Sequence, residues 1–262
     1  MLPERDECHL WVLTWAGVPA AGDYALSLLS DPERARVECI SDDAARAVFT
    51  ASRAAQRALG AAYLGCQPSE ISIDRTCRYC GDRTHGRPRI AGEMQLDFSV
   101  THCGRLLLLA FVGHGRVGVD AEAADRQVGG RHGAGRLADF TLTAAEAELV
   151  RAEPERSRSA VFCRLWTRKE AVVKLTGHGI FAPLRSIEIA TGTGTVSLRG
   201  RARDWPADTV WLTDLPADAV PADPAAQLLS GYVGAVATTS PVRTIVIREL
   251  EPMMRLQDRA GG

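Results

Sequence analysis

The chain has 262 residues, of which 46% are hydrophobic and 24% charged, with a formal net charge of −1. That length supports one large domain or two smaller ones with a sizeable core, and the balanced charge argues against bulk nucleic-acid binding. The longest apolar run, residues 106–112, is far shorter than the ~20 residues of a membrane span. The first residues lack the basic and apolar regions of a signal peptide, and the seven cysteines follow no disulfide pattern. A cytoplasmic protein without a membrane partner is expected.

Residues 10–15 read as a first strand. Asp42 or Asp43 caps a helix running to about Leu64, where Gly65 stops it. Residues 71–74 form a short strand, and 76–92, with three glycines and a proline, read as loop. Residues 95–102, 106–112 and 116–122 are strands in quick succession, and the short turns between them predict an antiparallel meander. The glycine-rich stretch 129–135 reads as mobile. Thr143 with Glu146 forms a capping box that opens a helix to about Ala152. A long helix from about Arg158 to Thr176 stops at Gly177. Further strands are predicted near 186–190, 194–198, 209–212, 231–237 and 244–248, and the tail after Pro252 reads as disordered.

Two motifs carry chemistry. The first is Gly118-Val119-Asp120-Ala121-Glu122, on the third strand of the meander. Residues two apart on a strand share a face, so Asp120 and Glu122 project side by side. The second is Trp166-Thr167-Arg168-Lys169-Glu170-Ala171-Val172-Val173-Lys174, in the long helix. Glu170 and Lys174 are four apart and share its face. If that face meets the strand end, three carboxylates converge with Lys174 one turn away. Hard cations favour such oxygen donors, clustered carboxylates are costly without one, and the lysine adds a point charge suited to phosphate. Alone, each motif would more often be a solvated strand edge or a surface ion pair. Together, in this order, they point to metal-assisted phosphate chemistry.

These residues resemble the 4′-phosphopantetheinyl transferase family, in particular its longer Sfp-type members. That family carries a Gly-x-Asp-x-Glu strand motif and a Trp-x-x-Lys-Glu-Ala-x-x-Lys helix motif. Gly86-Arg87-Pro88 is similar to its Gly-Lys/Arg-Pro element. Phe98-Ser99-Val100-Thr101-His102 is similar to its Phe-Asn-x-Ser-His element, with Ser99 and Thr101 as departures. The likeness extends from about residue 31 to 190. It implies an α+β fold of two similar lobes related by a pseudo-twofold, each a long helix on a mainly antiparallel sheet. Residues 1–115 would form the N-terminal lobe, 116–250 the C-terminal lobe and 251–262 a tail. It implies transfer of the phosphopantetheine arm of coenzyme A, the co-substrate, to a serine of an acyl, peptidyl or aryl carrier protein, by a monomer serving polyketide or nonribosomal peptide synthesis. Asp120, Glu122 and Glu170 would hold Mg²⁺, with Mn²⁺ equally compatible with oxygen donors. Glu170, Lys174 and Asp120 would be catalytic, Glu170 by taking the serine proton or positioning the base that does, and Lys174 by assisting the leaving bisphosphate. Arg34, Arg53, Arg87, Thr101, His102 and Lys174 would contact coenzyme A. The alternatives are a non-catalytic coenzyme A or carrier-protein binding module and a metal-dependent phosphoesterase.

Arg46, Arg53 and Arg57 fall on one stripe of the first long helix, either a solvated basic face or a phosphate-binding one. Cys77-x-x-Cys80 with His85 hints at zinc. No second Cys-x-x-Cys accompanies it, however, and Cys66 or Cys103 could complete a set only through the fold, so free thiols in a loop are the preferred reading. Trp166 reads as core, and Lys169 as a surface lysine or a secondary phosphate contact.

Overall fold

The computed structural model describes residues 1–14, 22–129, 133–189, 194–197, 205, 208–215 and 224–250. Two four-stranded sheets organise it. The first has the order β10-β1-β5-β4, from Thr244–Glu249, Glu7–Thr14, Leu106–Val112 and Asp97–Cys103. The second has the order β6-β9-β8-β7, from Val117–Ala123, Tyr232–Thr238, Thr209–Asp214 and Thr195–Ser197. A two-stranded ribbon joins β2 (Ile73–Asp74) to β3 (Arg89–Ile90). Among the described residues the pairings are antiparallel, except that β10 lies parallel to β1. Thus β10, within the span 116–250, belongs to the first sheet. The class is α+β with mainly antiparallel sheets, as expected.

Each sheet carries one long helix. Helix α3 (Asp43–Leu64) is capped by Asp42, whose carboxylate accepts from Ala45 N at 2.7 Å, and ends at Gly65 with φ +69°. Its Ala55 and Leu59 pack on Leu107, Leu109 and Phe111 of β5. Helix α6 (Glu155–Thr176) ends at Gly177 with φ +75°. Its Ala171, Val172 and Leu175 pack on Val210, Leu212, Ala235 and Ala237. The other faces of the two sheets meet, with Leu10, Leu106, Leu108 and Ala110 against Val117, Val119, Ala121 and Val236. Strand β5 is therefore buried on both faces, which accounts for its unbroken apolar sequence. Helix α2 (Asp31–Glu38) opens on a Ser30–Glu33 capping box, preceded by the short α1 (Asp23–Ser27).

Three expectations change. The meander fails because both edges of β5 are taken, by β1 and β4, so β6 pairs with β9 instead. Strand β6 still runs beside β4, joined by side chains. Asp97 accepts from Val117 N at 2.8 Å, Ser99 Oγ accepts from Val119 N at 3.1 Å, and the Thr101 hydroxyl donates to Asp120 at 2.8 Å. The stretch expected to be mobile yields helix α4 (Gly133–Thr141), because Ala134 and Ala138 bury themselves against Leu142, Val150 and Phe162. Residues 130–132 fall outside the described residues. The strand expected at 186–190 is replaced by a 3₁₀ turn, Leu184–Ser186, and irregular chain. There Glu146 and Lys169 supply the hydrogen bonds that a ladder would have made, to Ile189 N and Ile187 O. Residue 190 and the tail after 252 lie outside the described residues. Helices α5 (Ala144–Ala152) and α7 (Pro224–Gln227) complete the set described.

Candidate active site

Gly118 brings the two motifs together. A Cβ on it would lie 1.9 Å from the carbonyl oxygen of Ala171 and 2.6 Å from Leu175 N. Only a glycine lets β6 approach helix α6 so closely. Two residues on, Asp120 meets Lys174, whose Nζ donates to Asp120 Oδ1 at 2.7 Å. Asp120 is buried and also accepts from Thr101. Burial pushes its pKa above the ordinary carboxylate range, although Lys174 and Thr101 pull it down. Glu170 is half-buried, and burial followed by the charge of Asp120 raises its pKa. Glu122 pairs with Arg126 and accepts from Cys103 Sγ at 3.2 Å.

Asp120, Glu122, Glu170 and Lys174 form one end of a cleft of about 1800 Å³ between helix α3 and the β4–β6 junction. That volume exceeds the roughly 300–1,000 Å³ of an ordinary small-molecule site. The other end is basic. Arg53, Arg57 and Arg75 surround the single carboxylate of Glu33, at 3.7, 2.7 and 3.4 Å. Burial pushes Glu33 up, but the Ser30 N–H and Arg57 outweigh it and the net shift is downward. Burial lowers the pKa values of Arg53 and Arg75, and their like charges repel. Arg53 Nε is buried without a hydrogen-bond partner. Three guanidiniums on one carboxylate leave surplus positive charge, which an anion would neutralise. Arg36 and Arg83 line the same cleft.

His102 stands between the two ends. It is exposed by area but enclosed by the cleft walls. That partial burial, then Lys174 and Arg53, lower its pKa, against the pull of Asp120. Arg34 is directed back onto Asp31 and Leu29 O, and among the described residues lining the cleft Arg36 takes its place. Arg87 is also off the wall. It donates to Lys174 O at 2.9 Å, Asp97 Oδ1 at 2.9 Å and Val117 O at 2.9 Å, tying α6, β4 and β6 together. Of the basic stripe on α3, Arg53 and Arg57 reach the cleft, while Arg46 pairs with Asp43.

Two neighbours in the helix motif differ from their expectations. Trp166 is half-buried and lines the cleft, stacked on Phe162 at 6.0 Å. Lys169 is neither on the surface nor a phosphate contact. It is 0% exposed, with Nζ 2.8 Å from Glu146 Oε2 and 2.8 Å from Leu184 O. Burial lowers its pKa, and Glu146 opposes that shift. The capping-box glutamate thus also holds helix α6 in place. Arg75 and Glu33 were missed as site residues. The Ser30-Asp31-Pro32-Glu33 signature could have revealed the α2 start and hence Glu33, whereas a lone arginine before a loop carries no signal.

Among the described residues, the one group of three potential metal ligands drawn within 4.8 Å of each other is Cys77, Cys80 and His85, not the carboxylates. Asp120, Glu122 and Glu170 all line the cleft, with Lys174 on Asp120.

Comparison with known proteins gives the same direction. The family model of the 4′-phosphopantetheinyl transferase superfamily matches residues 116–228. The 4′-phosphopantetheinyl transferase HetI of Nostoc sp. is 31% identical over 192 residues, covering 71% of this chain and 74% of that protein. The 4′-phosphopantetheinyl transferase AcpT of Escherichia coli is 37% identical over 93 residues, 35% of this chain and 45% of its own length. A 4′-phosphopantetheinyl transferase of Bacillus subtilis is 26% identical over 133 residues, 51% of this chain and 53% of its own. The chain belongs to the 4′-phosphopantetheinyl transferase superfamily.

Proposed function

We propose that the protein transfers 4′-phosphopantetheine from coenzyme A to a serine of an apo acyl, peptidyl or aryl carrier protein, releasing adenosine 3′,5′-bisphosphate. The observation that carries this reading is the two-ended cleft, with arginines at one end and three carboxylates with Lys174 at the other. A nucleotide with separated phosphates matches that spread of charge.

Arg53, Arg57 and Arg75 bind the nucleotide phosphates, with Arg36 and Arg83 at the mouth. His102 donates to a phosphate between them. Asp120, Glu122 and Glu170 offer only oxygen donors, and two of the three are pushed up by burial, a cost that a divalent cation would relieve. The residues therefore fit Mg²⁺ or Mn²⁺. When bound, the cation would supply charge neutralisation on the pyrophosphate and its departing half. The carrier serine oxygen attacks the phosphorus that bears the pantetheine arm, and the pyrophosphate bond to the bisphosphate breaks. Glu170 takes the serine proton or positions the base that does. Lys174 shifts its donor from Asp120 to the leaving oxygen. Thr101 and Arg87 position Asp120 and helix α6. Residues 1–115, completed by β10, supply the anion-binding wall and the rest of 116–250 the acids, as two lobes of one cytoplasmic monomer.

Incubation with coenzyme A, Mg²⁺ and several apo carriers, read by intact mass, tests this proposal. A gain of one phosphopantetheine, abolished by chelation, is expected. Coenzyme A binding without transfer to any carrier would leave a binding module, and carrier-independent breakdown of coenzyme A would make the protein a phosphoesterase.

A further inference from the structure

The loop between β2 and β3 holds a feature the transferase site does not use. Cys77, Cys80 and His85 bring their ligand atoms within 4.8 Å of one another, and Cys80 Sγ lies 3.1 Å from His85 Nε2. Zinc bonds of about 2.3 Å to sulfur and 2.0 Å to nitrogen give tetrahedral S–S edges of about 3.8 Å and S–N edges of about 3.6 Å. The Cys80–His85 pair, at 3.1 Å, is tighter than its edge, and all three atoms lie within 4.8 Å, so a small spreading of the loop admits the ion.

The backbone is arranged to match. The N–H groups of Tyr79 and Cys80 point at the Cys77 sulfur, supplying donors to a thiolate. Gly81 N donates to Cys77 O at 2.9 Å, and Gly81 has φ +74°, the left-handed conformation that closes this tight turn without a Cβ penalty. Cys77 N donates to Asp82 O, which brings the chain back toward His85.

We propose that Cys77, Cys80 and His85 form a zinc site that staples the loop carrying Arg83 and Thr84 into the cleft. Soft thiolates select zinc over magnesium, so this site is chemically distinct from the carboxylate end. The described residues supply three ligands, and water completes the tetrahedron. The staple lies between two fixed points of the loop. Tyr79 packs on His178 at 5.4 Å and Phe181 at 5.2 Å, beyond the end of α6. Gly86 sits so close to the backbone of Arg75 and Thr76 that a Cβ would come within 2.6 Å. Arg83 and Thr84, between Cys80 and His85, reach the cleft wall. The metal fixes the stretch between these contacts and presents Arg83 to the anion-binding end.

The test uses the full chain, purified with a phosphine reductant, stripped of metal and reloaded with Co²⁺. One equivalent of cobalt with thiolate-to-cobalt charge-transfer absorption is expected, unaffected by excess Mg²⁺. The band should fall at least tenfold in Cys80→Ser and in His85→Ala, both exposed positions, with circular dichroism confirming that each variant is folded. It should persist in Cys103→Ser, which removes the thiol beside Glu122. Zinc measured in the protein as isolated should follow the same pattern. An absent band, a band kept in Cys80→Ser, a band lost in Cys103→Ser, or a Cys77–Cys80 disulfide without zinc would overturn the proposal. None of these readings depends on carrier modification, so the zinc site and the transferase reading fail separately.

Discussion

Gly118 lies directly beneath Ala171, with room for a hydrogen but not for a methyl group, since a Cβ would stand 1.9 Å from the Ala171 carbonyl oxygen. This contact sets the distance between the strand bearing Asp120 and the helix bearing Glu170. Gly118→Ala must push the two apart, and the backbone carbonyl cannot rotate away as a side chain could. We expect a loss of at least about 3 kcal/mol in urea unfolding, at the upper end of overpacking costs, and no detectable transfer. Near-native stability would show that the helix can shift at little cost.

Lys169 and Glu146 form a buried pair, and breaking it should cost far more than removing it. Lys169→Met leaves the Glu146 charge buried and should destabilise the protein by about 3–5 kcal/mol. Adding Glu146→Gln should recover much of that loss, because the amide oxygen still accepts from Ile189 N. Denaturation of both variants decides the point, and equal stabilities would contradict it.

The acids at the cleft end reverse the usual direction of acid sensitivity. Burial raises the pKa values of Asp120 and Glu170 in the folded protein above their unfolded values. Between those two values the unfolded chain binds fewer protons, so these two groups lower stability as pH rises through that window. Without divalent metal, the unfolding midpoint should therefore rise on mild acidification from neutral pH. At lower pH it should fall, because Thr76 holds Asp74 down to about 2 and that contribution is lost as pH drops from the ordinary carboxylate range toward that value. Glu170→Gln should flatten the first limb and raise the neutral-pH midpoint, with about 2–4 °C corresponding to each kcal/mol recovered. Calorimetry across pH, with and without Mg²⁺, measures this directly. A wild-type limb unchanged in the variant would refute it.

Lys174→Ala and Arg75→Leu should separate turnover from binding. Removing Lys174 takes away the charge proposed to meet the leaving group, and we expect kcat to fall about 10²–10³-fold with a modest change in KM for coenzyme A. Removing Arg75 weakens the anion-binding end, and KM should rise about tenfold, corresponding to roughly 1.4 kcal/mol, with little change in kcat. Steady-state kinetics at fixed ionic strength reads both. An inverted pattern would exchange the two roles.

Much of this was legible because the punctuation is strong. Gly65 and Gly177 ended the long helices as expected, Asp42 and Thr143 capped theirs, and the apolar run 106–112 became β5. The pairing of β6 was not legible, since it depends on β5 having both edges occupied, one of them by a strand that lies far away in the chain. The sequence segment at 186–189 had a strand's composition, but its hydrogen bonds go to Lys169 and Glu146. In the cleft, the motif acids were readable from the two motifs taken together, each spacing placing its acids on one face. The roles of Arg75 and Glu33 were not, because a ring of guanidiniums on one carboxylate is assembled from three separate elements. Arg34 and Arg36 differ by two positions on one helix, and only helix α2's orientation decides which faces the cleft.

The parallel seam between β1 and β10 has a consequence for biogenesis. Strand β1 leaves the ribosome long before β10, and one of its edges stays open until residue 249 has followed. Until then the nascent chain presents an apolar strand with unpaired backbone groups, the kind of edge that recruits other strands. Completion of the first sheet is thereby delayed until β10 has emerged, and a ribosome stalled before residue 244 would hold an aggregation-prone intermediate rather than a finished sheet.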